Sequence, residues 1–388
     1  MIPIKYALRN LRARWMTTLM TALGIALVVF SSVLSFGLAD GLERALTISA
    51  DPLDVVCLRK GALDEVSSNI ERATADRARS LEGLATDASG QPLVSPEYVI
   101  TLMKQRRGAD AGSTNVLVRG LLPLGWQLRP GFQIVEGRPP RAGVNEAIVS
   151  RQISERFEGT RIGEKFRISN TDFTIVGYFS ASGCAAESEL WTDLHDLTAV
   201  RKAPGAVSSI CLRALDATSQ DALIHTLQED QLFGLKALSE EEFFEEQLVS
   251  AQVVKGLARF IALFLVIGAM FAAANTMYAA VSGRAREIGT LRALGFSRRS
   301  VLFSFLFESV ALCLLGGLLG CLAAIPFDGY STGMANLQTF SEIAFAFRFG
   351  PSVLLQGILL ALSMGLLGGL MPAVRALRLN VIRALREA

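Results

Sequence analysis

Gly283-Arg-Ala-Arg-Glu-Ile-Gly-Thr-Leu-Arg-Ala-Leu-Gly-Phe-Ser-Arg-Arg-Ser300 lies between two long runs almost free of charge. No charged residue falls between Arg259 and Arg284, and only Glu308 interrupts the run from Arg299 to Asp328. A helix crosses the hydrocarbon core of a bilayer with about 20 mostly apolar residues. Two more runs meet that length, Arg14 to Asp40 and Arg348 to Arg375. Nothing between Asp40 and Arg259 approaches it. The expected fold is therefore membrane α-helical, with four transmembrane helices at 16–39, 260–283, 300–327 and 349–374. A large α+β extracytoplasmic domain with a stalk, 40–259, is inserted between helices 1 and 2. Gly37-Leu38-Ala39 offers small residues at a cleavage-like site, but the preceding apolar run exceeds the 7–15 residues of a signal core.

The quoted segment is basic, with Arg284, Arg286, Arg292, Arg298 and Arg299 against Glu287. Lys5, Arg9, Arg12 and Arg14 precede the first span. Arg375, Arg378, Arg383 and Arg386 follow the last. The 328–348 loop holds only Asp328, Glu342 and Arg348. Lys and Arg accumulate on the cytoplasmic side of short loops. Both termini are expected in the cytoplasm, with the insert and the 328–348 loop outside. All three basic ends agree, which a wrong span count would scramble.

The composition matches this reading. Of 388 residues 51% are hydrophobic and 19% charged, where a soluble domain has about 25% charged. Mean hydropathy is +0.39. This apolar content excludes a disordered chain, and a net charge of +2 gives no footprint for nucleic acid. Two histidines and five scattered cysteines argue against a His- or Cys-built metal centre. The chain has no G-x-x-x-x-G-K-[ST] phosphate loop, so no ATP site of that kind is expected in it.

Within the quoted segment, Arg284 to Gly295 reads as a short helix with Ile288 and Leu291 on one face. Gly295 fits the position just past its end, and Ser297 can cap the next helix. An exposed Ile/Leu face would want a partner; the alternative is a helix lying flat on lipid. At the N-terminus, residues 1–15 read as an interfacial helix, with Ile4, Leu8, Leu11 and Trp15 at helical spacing.

Glu308 lies roughly 13 Å into the third span at 1.5 Å per residue. Intramembrane carboxylates face protein or water, and a structural contact is favoured over proton relay. Asn275 is a second polar residue within a span. Gly316 with Gly320 and Gly365 with Gly369 stand at i, i+4, a spacing that lets helices approach closely. Gly268 with Ala272 is a weaker pair. No hydrophilic pore is apparent.

In the insert, Asp64 to Leu84 reads as a polar helix, with Val66, Ile70 and Ala73 at helical spacing. Strand-like runs follow at Tyr98–Met103, Asn115–Val118, Phe132–Val135, Ala147–Val149, Phe166–Ile168, Phe173–Val176 and Ile210–Leu212. Ser239 and Glu242 make a capping box, which opens a stalk helix running into span two. His195 beside Asp193 and Asp196 reads as a surface residue. One pair among Cys57, Cys184 and Cys211 can bridge in an oxidising compartment. Cys313 and Cys321 read as packing residues of span three.

Several of these motifs occur in a known order. Ala274-Asn275-Thr276-Met277, Arg284-Ala-Arg-Glu-Ile-Gly289, Leu291-Arg-Ala-Leu-Gly295, Glu308 and Gly316-Gly-Leu-Leu-Gly320 together resemble the FtsX-like permease domain. That domain belongs to MacB/LolC-type transporters of the type VII ABC superfamily. Leu8-Arg9-Asn10-Leu11-Arg12 is similar to the family's N-terminal elbow, and Pro372-Ala-Val-Arg-Ala376 with Ala384-Leu385-Arg386 to its tail. Asn380-Val381 departs from the tail's commoner acid-proline. Gly131 to Leu197 resembles the MacB-type periplasmic core domain.

The resemblance implies a permease subunit in a bacterial inner membrane. Residues 284–299 would be a coupling helix seated on a separate ABC ATPase, present in two copies. Arg284, Arg286, Glu287, Ile288, Gly289, Leu291 and Gly295 would form the contact. ATP and Mg would be bound by that partner, with no cofactor in this chain. A second permease copy or a paralogue, and a periplasmic adaptor or outer-membrane partner, are further implied partners besides the lipid bilayer. ATP-driven movement would be transmitted to the outer domain to drive export or extraction of a lipoprotein, antibiotic, peptide or glycolipid. The rival expectation is a membrane-anchored extracytoplasmic sensor or scaffold without an ATPase partner.

Overall fold

The chain, seen in a computed structural model, is described over residues 15–47, 50–108, 112–129, 131–336 and 341–377. The expected interfacial helix ahead of Trp15 and the tail from Arg378 lie outside the described residues. In chain order the elements begin with α1 (Trp15–Thr47), β1 (Asp54–Arg59), α2 (Arg72–Ala78), β2 (Val94–Gln105), β3 (Ser113–Leu121), α3 (Pro123–Gln127) and β4 (Phe132–Gly137). Next come β5 (Glu146–Ser150), α4 (Arg151–Arg156), β6 (Lys165–Ile168), β7 (Thr171–Ala181), β8 (Glu189–Asp193), α5 (Leu194–Val200), β9 (Ser209–Arg213), α6 (Ala217–Glu229) and β10 (Leu235–Ser239). The remainder is α7 (Glu240–Ser282), α8 (Ala285–Ala293), α9 (Arg298–Ala324), β11 (Ser331–Ala335), β12 (Glu342–Ala346) and α10 (Pro351–Leu377). Two compact units result. One holds α1 to Asp40, then Val253–Tyr330, then the chain from Phe347; the other holds Gly41–Gln252 with Ser331–Ala346.

In the helical unit, four stretches are long and apolar enough to span: Trp15–Leu46, Gly256–Ser282, Arg298–Phe327 and Pro351–Leu377. The first outruns the expected 16–39 because Asp40, Glu43 and Arg44 end an apolar run without ending a helix. α7 is 43 residues long and opens on the expected capping box. Glu242 N–H donates to Ser239 Oγ and Ser239 N–H to Glu242 Oε2, both at 3.2 Å.

The helices pack on glycine. A Cβ on Gly316 would lie 2.8 Å from the carbonyl oxygen of Ala22, and one on Gly320 2.6 Å from that of Ala26. This pair is thus the seam between α9 and α1 of one chain. Gly365 and Gly369 meet Val310 and Ser309 in the same way, and Ser309 Oγ donates to the Gly365 carbonyl at 2.9 Å. Gly268 faces open space. Ile25, Val29 and Val33 of α1 meet Ala273 of α7, Cys313 of α9 and Met364 of α10 in the core between the helices.

The second unit is α+β. Its ten strands run β10-β1-β9-β2-β3-β8-β5-β7-β4, with β6 on β7. β2 joins two halves: Val94–Glu97 pair with β9 and Tyr98–Gln105 with β3. Adjacent strand residues face opposite sides, so Leu190 enters one core with Val118, Phe173 and Leu197, while Trp191 enters another with Ile148 and Phe179.

All seven expected strands are present. The expected helix at Asp64–Leu84 shrinks to α2. Ahead of it, Ser67 N–H donates to Asp64 Oδ1 at 2.7 Å and Arg59 N–H to Ser68 Oγ at 2.9 Å, and Ile70 bridges Val207. Short polar side chains offering such bonds compete with a helix. The 328–348 segment, expected as a short loop, contains the β11–β12 hairpin. Its Glu342 is buried between Arg106 and Arg156, and Ala344 N–H donates to Ser188 Oγ at 2.7 Å.

Candidate functional site

α8 is closed at both ends. Glu287 sits in its first turn and Arg292 in its last, the arrangement favoured by the helix dipole. Gly295 takes φ +93°. Its N–H donates to the Arg292 carbonyl and the Phe296 N–H to that of Leu291, each at 3.2 Å. These two bonds form a Schellman termination. Two residues on, Ser297 Oγ accepts from Ser300 N–H at 3.2 Å and starts α9, as expected.

The side chains of α8 divide differently from the expectation. Ile288 is 3% exposed. It packs among Met277 and Val281 of α7, Val301 and Phe305 of α9, and Ala373 and Ala376 of α10. Gly289 and Arg284 are buried too, and Leu291 is half-buried. The expected exposed Ile/Leu face is thus absent, because that face closes the ends of three long helices. Arg286, Glu287 and Gly295 are exposed. The large apolar side chain presented outward is Leu294, 77% exposed.

Arg284 Nη1 donates to Glu308 Oε2 at 3.0 Å, with both side chains under 10% exposed. One partner of the intramembrane carboxylate therefore comes from the segment before α8. Breaking a buried pair by removing one partner costs about 3–5 kcal/mol, because it strands the other charge. This pair fixes the start of α8 to the third span.

The α+β unit holds a second charged constellation that the sequence reading did not single out. Arg119 on β3 uses all five donors. Nε and Nη2 reach Glu189, Nη1 and Nη2 reach Glu65, and Nη1 also reaches Glu97, at 2.6–2.8 Å. Arg129 Nη2 binds both oxygens of Glu97 at 2.7 and 2.9 Å. Trp191 Nε1 and Ser209 Oγ donate to Glu189 and Glu65. The available signal was charge inside apolar strands, Glu97 in β2 and Arg119 in β3.

Beside this network, ligand atoms of Asp54, Cys211 and Glu240 lie within 4.8 Å of one another, all buried. Two guanidiniums crowd the set. Arg213 holds both Asp54 oxygens at 2.6 and 2.9 Å, and Arg129 Nη1 lies 3.5 Å from Cys211 Sγ. Burial pushes Asp54 up to about 6 despite Arg213, and pushes Glu240 up to about 8. Glu240 Oε2 also accepts from Asp51 N–H at 2.8 Å.

A carboxyl that binds its proton more tightly folded than unfolded stabilises the fold at low pH. For Glu240 that contribution is complete below the ordinary glutamate value and is lost as pH rises through about 8. In urea titrations followed by tryptophan fluorescence, the wild-type midpoint should fall between pH 5 and pH 9. Glu240→Gln should flatten that fall and gain about 2–4 kcal/mol over wild type at the alkaline end. Parallel pH dependences of the two proteins would assign the effect elsewhere.

Asp193 accepts from the main-chain N–H of His195 and Asp196 as a helix cap, and Asp196 accepts from Gly143 and Asn145 N–H at 2.9 and 3.0 Å. The His195 ring is exposed. Cys57, Cys184 and Cys211 are free thiols, so the bridge allowed for in sequence does not form. Val56, not Cys57, stands opposite Cys211, which turns the two sulfurs to opposite faces.

Residues 259–381 match the family described as FtsX-like permease C-terminal, and residues 18–230 the MacB-like periplasmic core domain. The chain is 27% identical over 410 residues to the macrolide export ATP-binding/permease protein MacB of Rhodospirillum rubrum, covering 98% of this chain and 60% of that protein. It is 37% identical over 114 residues to the uncharacterized ABC transporter permease YvrN of Bacillus subtilis, covering 29% of this chain and 25% of that one. The periplasmic region of MacB from Actinobacillus actinomycetemcomitans aligns with a TM-score of 0.38 at 11% identity, covering 51% of this chain and 93% of that one. The chain spans about 60% of the length of the MacB relatives it matches end to end. The periplasmic-domain match alone takes in more than half of the sequence, and the chain belongs to the MacB-type family of ABC transporter permeases.

Proposed function

We infer that the chain receives movement from an ABC ATPase encoded outside this sequence and transmits it across a bacterial inner membrane to its α+β domain. The observation that carries this reading is α8, a short helix between the second and third spans, ended by a Schellman motif at Gly295. Its inner face is locked by Ile288 and by the Arg284–Glu308 pair, while Arg286, Glu287 and Leu294 face outward. A rigid knob with one apolar tip and flanking charges fits a groove on a partner. The three basic ends, all on one side in a four-span arrangement, support a cytoplasmic position for α8 and both termini. ATP and Mg belong to the partner ATPase. Two permeases, alike or paralogous, would sit on two ATPases. A periplasmic adaptor or outer-membrane partner would extend the path. Candidate cargoes are lipoproteins, antibiotics, peptides and glycolipids, with antibiotic favoured by the macrolide exporters among the relatives.

Leu294→Asp and Glu287→Lys should each cut co-purification of the ATPase by about tenfold or more, as expected of interface hot spots. Lys165→Glu, in the α+β domain, should leave it unchanged. Retention by both α8 variants would place the contact elsewhere. A wild-type chain that never captures the ATPase would favour the sensor or scaffold reading.

A further inference from the structure

Near one end of the helical unit, α1, α7 and α9 leave a cavity of about 360 Å³. Its wall is two-faced. Arg284, Glu308, Asn275 and Thr18 make the polar part, and Met16 and Met20 belong to the apolar part. Arg284 is 8% exposed and gives one nitrogen, Nη1, to Glu308. Its Nε and Nη2 carry three further N–H donors. Among the described residues neither these donors nor the Asn275 amide has a hydrogen-bond partner. Acyl chains cannot satisfy such groups, and an empty space would forfeit the contacts of its walls. Water alone would satisfy the polar part and wet the methionines. An amphiphile answers both halves.

The cavity lies toward the end of the helical unit that carries Arg284. Asn275 is two turns from the end of α7, and Arg284 follows that end. The occupant faces the N–H donors that Arg284 does not give to Glu308. It needs acceptors for N–H donors and an apolar tail. We propose that this cavity is a binding site for one phospholipid, its phosphate held by Arg284 and Asn275 and an acyl chain laid along Met16 and Met20. The site is independent of any ATPase, because its walls are three helices of this chain.

The test uses the full chain purified in detergent, with native mass spectrometry counting retained phospholipid and the thermal midpoint read during titration with phosphatidylethanolamine or phosphatidylglycerol. Two variants spare the Arg284–Glu308 pair. Asn275→Leu removes the amide, and Ala279→Trp fills space at a residue of the cavity wall. The wild type should retain one phospholipid and rise in midpoint on titration, and each variant should bind at least about tenfold more weakly. Equal lipid retention by the variants would overturn the site. An equal shift with inorganic phosphate would make it a free-anion site, and an equal shift with diacylglycerol would remove the phosphate from the recognition. Cross-linking of the wall to a second copy, with no lipid retained, would give the cavity to that copy instead.

Discussion

Replacing Arg119 with methionine is expected to cost the α+β domain about 3–5 kcal/mol, a large part of the 5–15 kcal/mol that holds an ordinary domain folded. Arg119 is 5% exposed, and its removal takes hydrogen bonds from three buried carboxylates at once. Glu97 keeps Arg129, but Glu65 and Glu189 fall back on one hydroxyl and one indole N–H. Urea unfolding of the full chain in detergent, followed by tryptophan fluorescence, measures the loss. Trp191 is a direct reporter, because its Nε1 donates to Glu189 at 2.8 Å. Arg167→Met is the matched control. Its pair with Asp172 is largely exposed, and such pairs contribute little to stability. Equal behaviour of the two variants would show that the Arg119 network holds nothing together.

The second large effect belongs to Arg284. Arg284→Ala leaves the Glu308 carboxylate without its 3.0 Å partner at a depth where charge is costly. The expected result is a marked fall in thermal midpoint or loss of folded protein, equivalent to about 3–5 kcal/mol. Arg284→Met with Glu308→Leu removes both charges and should recover most of that stability, since a buried pair is often replaceable by apolar side chains. On the function proposed above, the double variant should nevertheless leave the partner's ATPase activity uncoupled, because α8 is no longer pinned to α9. A double variant no more stable than the single one would count against the pair as the source of the loss.

These sites show where sequence reading reaches and where it stops. The four spans were legible because bilayer crossing depends on a one-dimensional property, length without charge. The caps at Ser239, Ser297 and Gly295 were legible because their bonds reach only a few residues. β8 was not, since Glu189 and Asp193 bracket Leu190-Trp-Thr192 and acidic ends read as loop. Only the arrival of Arg119, 70 residues away, makes Glu189 a buried strand residue. Glu308 was visible as an anomaly, but its partner was assigned to the outward contact. Ile288 was placed on the outward face for a related reason. A half-apolar helix announces that one face is covered, but not whether the cover comes from its own chain.

The hairpin at 331–346 separates the gene segment from the folded object. A fragment cut at Gly41 and Gln252 would carry every strand of the ten-stranded sheet and still be incomplete. Arg106 and Arg156 would point at the place of a carboxylate encoded some 90 residues downstream of the cut. Anyone excising this domain must therefore splice the later segment back in, or accept two guanidiniums facing a vacant seat.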